Sequence, residues 1–360
     1  MSKEAKKSLI ASLIAIGCGL LFGLIIIFIS NPSSAMRAFS ILLQGGFYRG
    51  IKSVGEVFYL AVPIMMTGLS VAFAFKCGVF NIGTPGQYIV GGFVAMCIAI
   101  NATFIPDSIA WLVAIISGGL AGALWAILPG ILKAYRNVNV VISCIMMNYI
   151  GMLLVIEGVK KYIYNPMGAE SFTVSSQRAV PSLGLDKLFD GSSINLGTFI
   201  AIGLCIVAYI ILNKTTFGFE LKACGYNPDA SNYAGMSEKK SVILSLMIAG
   251  FFAGIGGALT YLSGSGQAIT TAEALAVEGF NGIPVALLGF NNPIGVIGAA
   301  LFISYIELGG TYMQVLSIPV DIIDIIIACI IYFSSFSLFI KHWLDRRKSK
   351  KAKVAIKEEK

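Results

Sequence analysis

Apolar stretches close to twenty residues long recur along this chain from Leu9 to Ile340. An α-helix needs about 20 such residues to cross the ~30 Å hydrocarbon core of a bilayer, and inside that core every backbone N–H and C=O must find its partner within the protein. Continuous apolar runs satisfy this as helices. Only 12% of the 360 residues are charged, about half the share of an ordinary soluble domain. The expected fold class is therefore an all-α integral membrane protein. The first run, "LIASLIAIGCGLLFGLIIIFI", follows "KEAKK" without a small-residue cleavage site and reads as a signal anchor. The longest polar interval, about 160–195, is too short for a stable core of its own.

Nine spans are expected at about 9–29, 57–75, 84–101, 109–132, 138–157, 196–212, 241–262, 294–310 and 319–340. Lysine-rich segments at both termini place both ends in the cytoplasm by the positive-inside rule, which demands an even number. The missing span is "TAEALAVEGFNGIPVALLGF", residues 271–290, whose first half carries Glu273 and Glu278. Ten transmembrane helices, some of them broken, then put 19 of the 26 Lys and Arg but 7 of the 18 acids on the cytoplasmic side. The net charge of +8 is thereby accounted for beside anionic lipid, with no nucleic acid partner. Residues 1–345 are expected to form one transmembrane domain with an external loop at about 159–195 and a cytoplasmic loop at about 213–240, and residues 346–360 a basic cytoplasmic tail.

Several chemistries are excluded. The seven cysteines show no CxxC spacing and His342 is the sole histidine, so neither a metal site nor a histidine base is expected. No GxxxxGK[ST] loop is present, so any ATP would be hydrolysed by another subunit. No catalytic residue and no cofactor of its own are expected.

Against this apolar background, "FNIGTPGQ" at 80–87 is costly, because amides and freed backbone groups in a membrane need partners. Read by itself it is either a cytoplasmic turn after Lys76 or the broken start of the third span. Asn81 and Gln87 favour the second reading, and Glu278, Phe280 and Asn281 mark a similar break in the other half. Broken helices in corresponding places point to a substrate pathway. Asn148 adds a third amide at depth, and Phe280 places an aromatic face in the second break. Glu307, Asp321 and Asp324 are further acids in spans; the last two share a helix face and suit either interfacial capping or pathway lining. The GxxxG pairs Gly118/Gly122 and Gly250/Gly254 are expected to pack helices closely within the bundle. In the cytoplasmic loop, "NPDASNYAGM" predicts a short helix begun by Pro228, with Asp229 in its first turn and Gly235 ending it.

Four stretches carry a resemblance covering about 55–340: "GVFNIGTPGQ", "VNVVISCIMMNYI", "LKACGYNPDASNYAGM" followed by "IAGFFAGIGGAL", and "GFNGIPVALLGFNNPIGVIGAALF". They resemble the permease subunits of ABC importers in the branch handling branched-chain amino acids, ribose-type sugars and nucleosides, most of all the nucleoside (simple-sugar type) permeases. The resemblance implies a multi-pass permease in a bacterial cell membrane and a cytoplasmic ABC ATPase that binds ATP and docks on Gly225, Asn227, Pro228, Asp229, Ala234 and Gly235. It also implies a second, related permease and an external substrate-binding lipoprotein. Asn81 and Gln87 match the family pattern, whereas Pro85 stands where a glutamate is typical. Two other readings stay open: the same machinery with a ribose- or galactose-type cargo, and an ion-coupled secondary transporter using Glu307, Asp321 and Asp324.

Overall fold

The computed structural model describes residues 3–335, so the expected tail at 346–360 and His342 lie outside the described residues. The fold is 75% helical. In chain order the helices are α1 (Lys3–Ser30), α2 (Ala35–Gln44), α3 (Ile51–Lys76), α4 (Thr84–Asn101), α5 (Asp107–Arg136), α6 (Val140–Tyr162) and the single turn α7 (Leu185–Leu188). They continue as α8 (Gly197–Lys214), α9 (Thr216–Tyr226), α10 (Pro228–Tyr233), α11 (Glu238–Tyr261), α12 (Val277–Leu288), α13 (Pro293–Met313) and α14 (Val320–Ser335).

Among the described residues six helices are long and apolar enough to cross a membrane: α3, α5, α6, α8, α11, and α13 with the turn that follows it. The stretch expected as the tenth span behaves differently. Leu262–Ala276 is irregular, and only the 12 residues of α12 are helical, a rod of about 18 Å at 1.5 Å per residue. Helix α4 starts with the polar turn Thr84–Gln87 and has 18 residues.

The described chain forms two compact units, one running from Arg49 to Ser304 and the other joining the segment before it to the segment after it. In the second of these, α1 lies on α14. Gly23 faces Ile326, and a β-carbon at Gly19 would sit 2.6 Å from the Ile330 Cα. Asp321 and Asp324 are on the exposed side of α14, opposite buried Ile322, Ile323, Ile326 and Ile330. The Tyr305 hydroxyl donates to the Leu43 carbonyl at 2.6 Å, which ties α2 to α13.

The unit from Arg49 to Ser304 is built around α3 and α11, which are 78% and 72% buried. Both are apolar nearly all round, as a helix enclosed by others must be. By contrast α5, α6 and α8 are only 33–44% buried and turn Leu120, Leu124, Leu154 and Phe199 outward, a surface suited to lipid or another apolar protein. Helices α4, α5 and α11 meet along a seam of glycines. The Gly118 carbonyl lies against Gly254, the Gly250 carbonyl against Gly122, and Gly91 against the Gly254 Cα. No side chain fits there, so backbones touch and the lost hydrophobic driving force is replaced by close van der Waals contact. The two GxxxG patterns thus pack within the chain.

At the opposite ends of these helices from Lys76 and Lys133, one arginine fastens the loops. Arg178 donates from Nη1 to the Ala99 and Ala102 carbonyls (3.2 and 3.1 Å) and from Nη2 to Ile105 (3.0 Å), and its Nε pairs with Asp107. The guanidinium fork therefore satisfies the orphan carbonyls at the end of α4 while tying segment 163–196 to α5. A two-stranded hairpin, Tyr164–Asn165 with Glu170–Ser171, then joins this segment to Ile269, whose N–H donates to Ser171 Oγ at 2.9 Å.

The seam is testable. Gly254→Val should abolish recovery of monodisperse protein after detergent extraction, because its side chain would enter the Gly118 carbonyl, whereas Gly203→Val on α8, with open space around it, should behave as the unmodified protein by size-exclusion chromatography.

Candidate functional site

Helix α3 ends at Lys76, and eight residues later α4 begins. The intervening strand of chain, with the first turn of α4, has no regular ladder for its backbone, yet Asn81, Thr84 and Gln87 are almost fully buried. Side-chain amides supply what the ladder does not. Asn81 Nδ2 donates to Gln87 Oε1 at 2.8 Å and to Ser70 Oγ at 3.1 Å, while Asn81 Oδ1 accepts from Gln87 Nε2 and from the Gly83 N–H, both at 3.1 Å. Two donors and two lone pairs are the whole capacity of an amide, and Asn81 uses all four. The Thr84 hydroxyl donates to the Asn81 carbonyl at 3.1 Å.

Asn148, projecting from α6, completes the set. Its Oδ1 accepts from the Gly86 N–H and its Nδ2 donates to the Ile82 carbonyl, both at 3.0 Å. Gly86 lies in the first turn of α4, where N–H groups have no partner within the helix, so another helix provides the cap. Pro85 at the same end costs nothing, since its missing N–H would have been an orphan. Among the expected pathway residues, Asn81, Gln87 and Asn148 thus come together in one buried knot whose bonds run within the chain.

The second break packs against the first. Gly279 lies on the Pro85 ring and Cα, and Gly282 on the backbone of Thr67 and Gly68. The Thr67 hydroxyl reaches across to donate to the Glu278 carbonyl at 2.9 Å. Helix α12 is held by backbone proximity because both of its glycines face other chains of atoms directly. Glu278, Phe280 and Asn281 occupy its other sides, all partly open. Glu278 borders a cavity of about 240 Å³ whose wall includes Ile89, Met152, Tyr261, Gln267 and Thr270. This cavity presents an aromatic ring, an amide, a hydroxyl and a carboxylate. Tyr261, Gln267 and Thr270 were not legible as site residues, since they lie at the end of α11 and in the irregular segment after it.

The loop at about 213–240 has its predicted helix and one more. Thr215 opens α9 by accepting from the Gly218 N–H at 3.1 Å. Asn227 ends α9 and opens α10, its Oδ1 accepting from the Ala230 N–H at 3.0 Å. Pro228 is the first residue of α10 and Asp229 lies in its first turn, where a negative charge suits the helix dipole. Gly235 has φ +84°, the left-handed conformation in which glycine ends helices cheaply. Asn227, Pro228, Asp229, Ala234 and Gly235 are exposed, and Tyr226 and Tyr233 beside them are 86% and 94% exposed. Gly225 differs from its neighbours, for it faces inward. A β-carbon there would sit 2.5 Å from the Cys77 carbonyl carbon and 2.7 Å from the Gly78 nitrogen. Cys77 is enclosed by this contact, and burial, opposed in part by Lys222, pushes its thiol up to about 12.

A model of the branched-chain amino acid transport system / permease component family matches residues 53–335 of the chain. The chain belongs to this family. It is 36% identical over 365 residues to the nucleoside ABC transporter permease protein NupB of Lactococcus lactis subsp. cremoris, covering 99% of both chains. It is 37% identical over 345 residues to the guanosine ABC transporter permease protein NupP of Bacillus subtilis, covering 96% of this chain and 98% of that one. A further Bacillus subtilis protein, the guanosine ABC transporter permease protein NupQ, is 27% identical over 255 residues, 69% of this chain and 78% of the other. No solved structure matches the chain. As an ABC permease it is a transport subunit with several apolar helices of spanning length, not itself a catalyst.

The knot is open to a direct test. Asn148→Leu removes the partners of the buried Gly86 N–H and Ile82 carbonyl, each costing about 1–3 kcal/mol when left unsatisfied. The variant should lose its fold faster on heating in detergent and be cut by protease near 82–86. Heat resistance equal to that of the unmodified protein would show that the amide bonds contribute nothing there.

Proposed function

We propose that the chain is one of two unlike permease halves of an ATP-driven importer of nucleosides. The observation that carries this reading is the 36–37% identity, over nearly the whole chain, to permease proteins named for nucleosides and guanosine. The presence of NupP and NupQ in one organism supports pairing with a second, related permease. In this reading the chain crosses a bacterial plasma membrane about ten times, with α12 as a half-span and both termini cytoplasmic.

The cavity bordered by Glu278 suits a neutral, hydroxyl-rich, aromatic cargo. Tyr261 offers a face for a base, while Gln267, Thr270 and Glu278 offer donors and acceptors for ribose and base edges. Its 240 Å³ is below the roughly 300–1,000 Å³ of sites that enclose whole ligands, as fits a wall that a second permease completes. Asn81, Gln87 and Asn148 serve the pathway by shaping its backbone, because Asn81 and Gln87 bond each other and Asn148 bonds the backbone of Ile82 and Gly86. Glu278, Phe280 and Asn281 are the side chains that remain available to cargo.

The exposed face of α10 is the docking site for a cytoplasmic ATPase, which binds the ATP. Tyr226 and Tyr233 flank Asn227–Asp229 there, and tyrosines of this kind commonly anchor interfaces. An external binding protein delivers the cargo to the opposite side.

The complex of this chain with its co-encoded partners, reconstituted in vesicles, should take up labelled guanosine or adenosine only with ATP, and excess ribose or galactose should not compete. Uptake of a sugar that nucleosides do not inhibit, or uptake driven by an ion gradient without the ATPase, would overturn the assignment. Tyr233→Ala should reduce co-purification of the ATPase about tenfold or more, the size of a loss of about 1.4–2 kcal/mol at an interface anchor.

A further inference from the structure

Residues 77–87 are gripped at both ends. At the first end, Gly78 and Gly225 meet backbone to backbone: a β-carbon on Gly78 would lie 2.6 Å from the Gly225 Cα and 2.8 Å from its carbonyl oxygen. Gly78 also has φ +78°. At the second end, Pro85 rests on Gly279, one residue from Glu278 at the cavity. Between these ends the strap cannot stretch or slip independently. Asn81 binds it to Ser70 of α3 and Gln87 of α4, and Asn148 binds Ile82 and Gly86 to α6.

We propose that this strap is the part that carries movement of the cytoplasmic loop to the cavity wall, with Gly78–Gly225 as its input and Pro85–Gly279 as its output. This rests on the transporter reading above. The physical reason is stiffness at contact. Two backbones in van der Waals contact have no side chain between them to yield, and close-packed interiors transmit strain. A displacement of α9 by a docked ATPase therefore reaches Gly78 undamped. Residues 77–83 have no helical ladder to resist rotation, and they run directly into the first turn of α4 that carries Pro85. The strap's amide bonds hold it together as it moves, and α12, seated through Gly279 and Gly282, follows it. Gly225 and Gly279 are thus positioning residues; neither touches cargo.

Gly225→Ala and Gly279→Ala each insert a methyl group into one contact. In the reconstituted complex each variant should lower the cargo moved per ATP hydrolysed by about tenfold, a coupling loss of ordinary size, with co-purification of the partners retained. An assembled variant with the unmodified ratio would overturn the route. Because either variant could disturb folding, the unmodified complex supplies a second readout that needs no cargo. Hydrogen–deuterium exchange, compared between nucleotide-free and vanadate-trapped states, should show amides of residues 78–87 and 277–283 changing protection together. A change near the cavity with an unchanged strap would overturn the proposal. If exchange changes as expected but labelled nucleosides are not taken up, the cargo assignment fails and the strap stands.

Discussion

The amide knot formed by Asn81, Gln87 and Asn148 is the interaction on which the break between α3 and α4 rests. In a hydrocarbon surrounding, a broken helix exposes backbone groups that cost several kcal/mol each if left alone. The chain satisfies them with the side chains of Asn81 in the connection itself, Thr84 of α4 and Asn148 of α6. Asn81 spends its full hydrogen-bonding capacity locally, and Asn148 caps a helix to which it does not belong. Such a network is stable only when complete, because the low dielectric that strengthens each bond also penalises each omission. That all-or-nothing character is what allows irregular backbone to persist at the centre of an apolar bundle.

The members of the knot come from α3, the connection after it, the start of α4 and α6, and the α4 that carries Gln87 is seated against α5 and α11 along the glycine seam. Glycines at 91, 118, 122, 250 and 254 remove the side chains that would hold those backbones apart. The same device recurs where α12 settles on α3 and on the start of α4, and where α9 meets the end of α3. Small residues therefore mark each place where one backbone bears on another, and amides mark the place where a backbone is interrupted.

Most of the helices were legible in the sequence, because a run of twenty apolar residues has few alternatives in a bilayer. The short helix at Pro228 was legible too, from proline, aspartate and glycine at the positions where helix ends favour them. What was hidden shares one property: it depends on a distant partner. Nothing in "TAEALAVEGFNGIPVALLGF" says that its first half stays irregular or that Gly279 and Gly282 of its second half seat α12 against Pro85 and Thr67. Gln267 and Thr270 are unremarkable polar residues until the hairpin around Ser171 draws their segment beside α6.

The sequence alone determined the membrane environment, the helical class, the two polar breaks and the resemblance to a permease family, because hydropathy, residue propensity and motif are properties of short stretches. Only the tertiary structure decided what the polar residues do. It joined the two breaks through Pro85 and Gly279, directed Asn81 and Gln87 at each other and Asn148 at the backbone of Ile82 and Gly86, left Glu278 at a cavity, and turned Gly225 away from its exposed neighbours toward Gly78. The reason is that a hydrogen bond or a backbone contact is defined by two positions in space, and residues 60 to 200 apart in the chain acquire that relation only once the helices between them have packed.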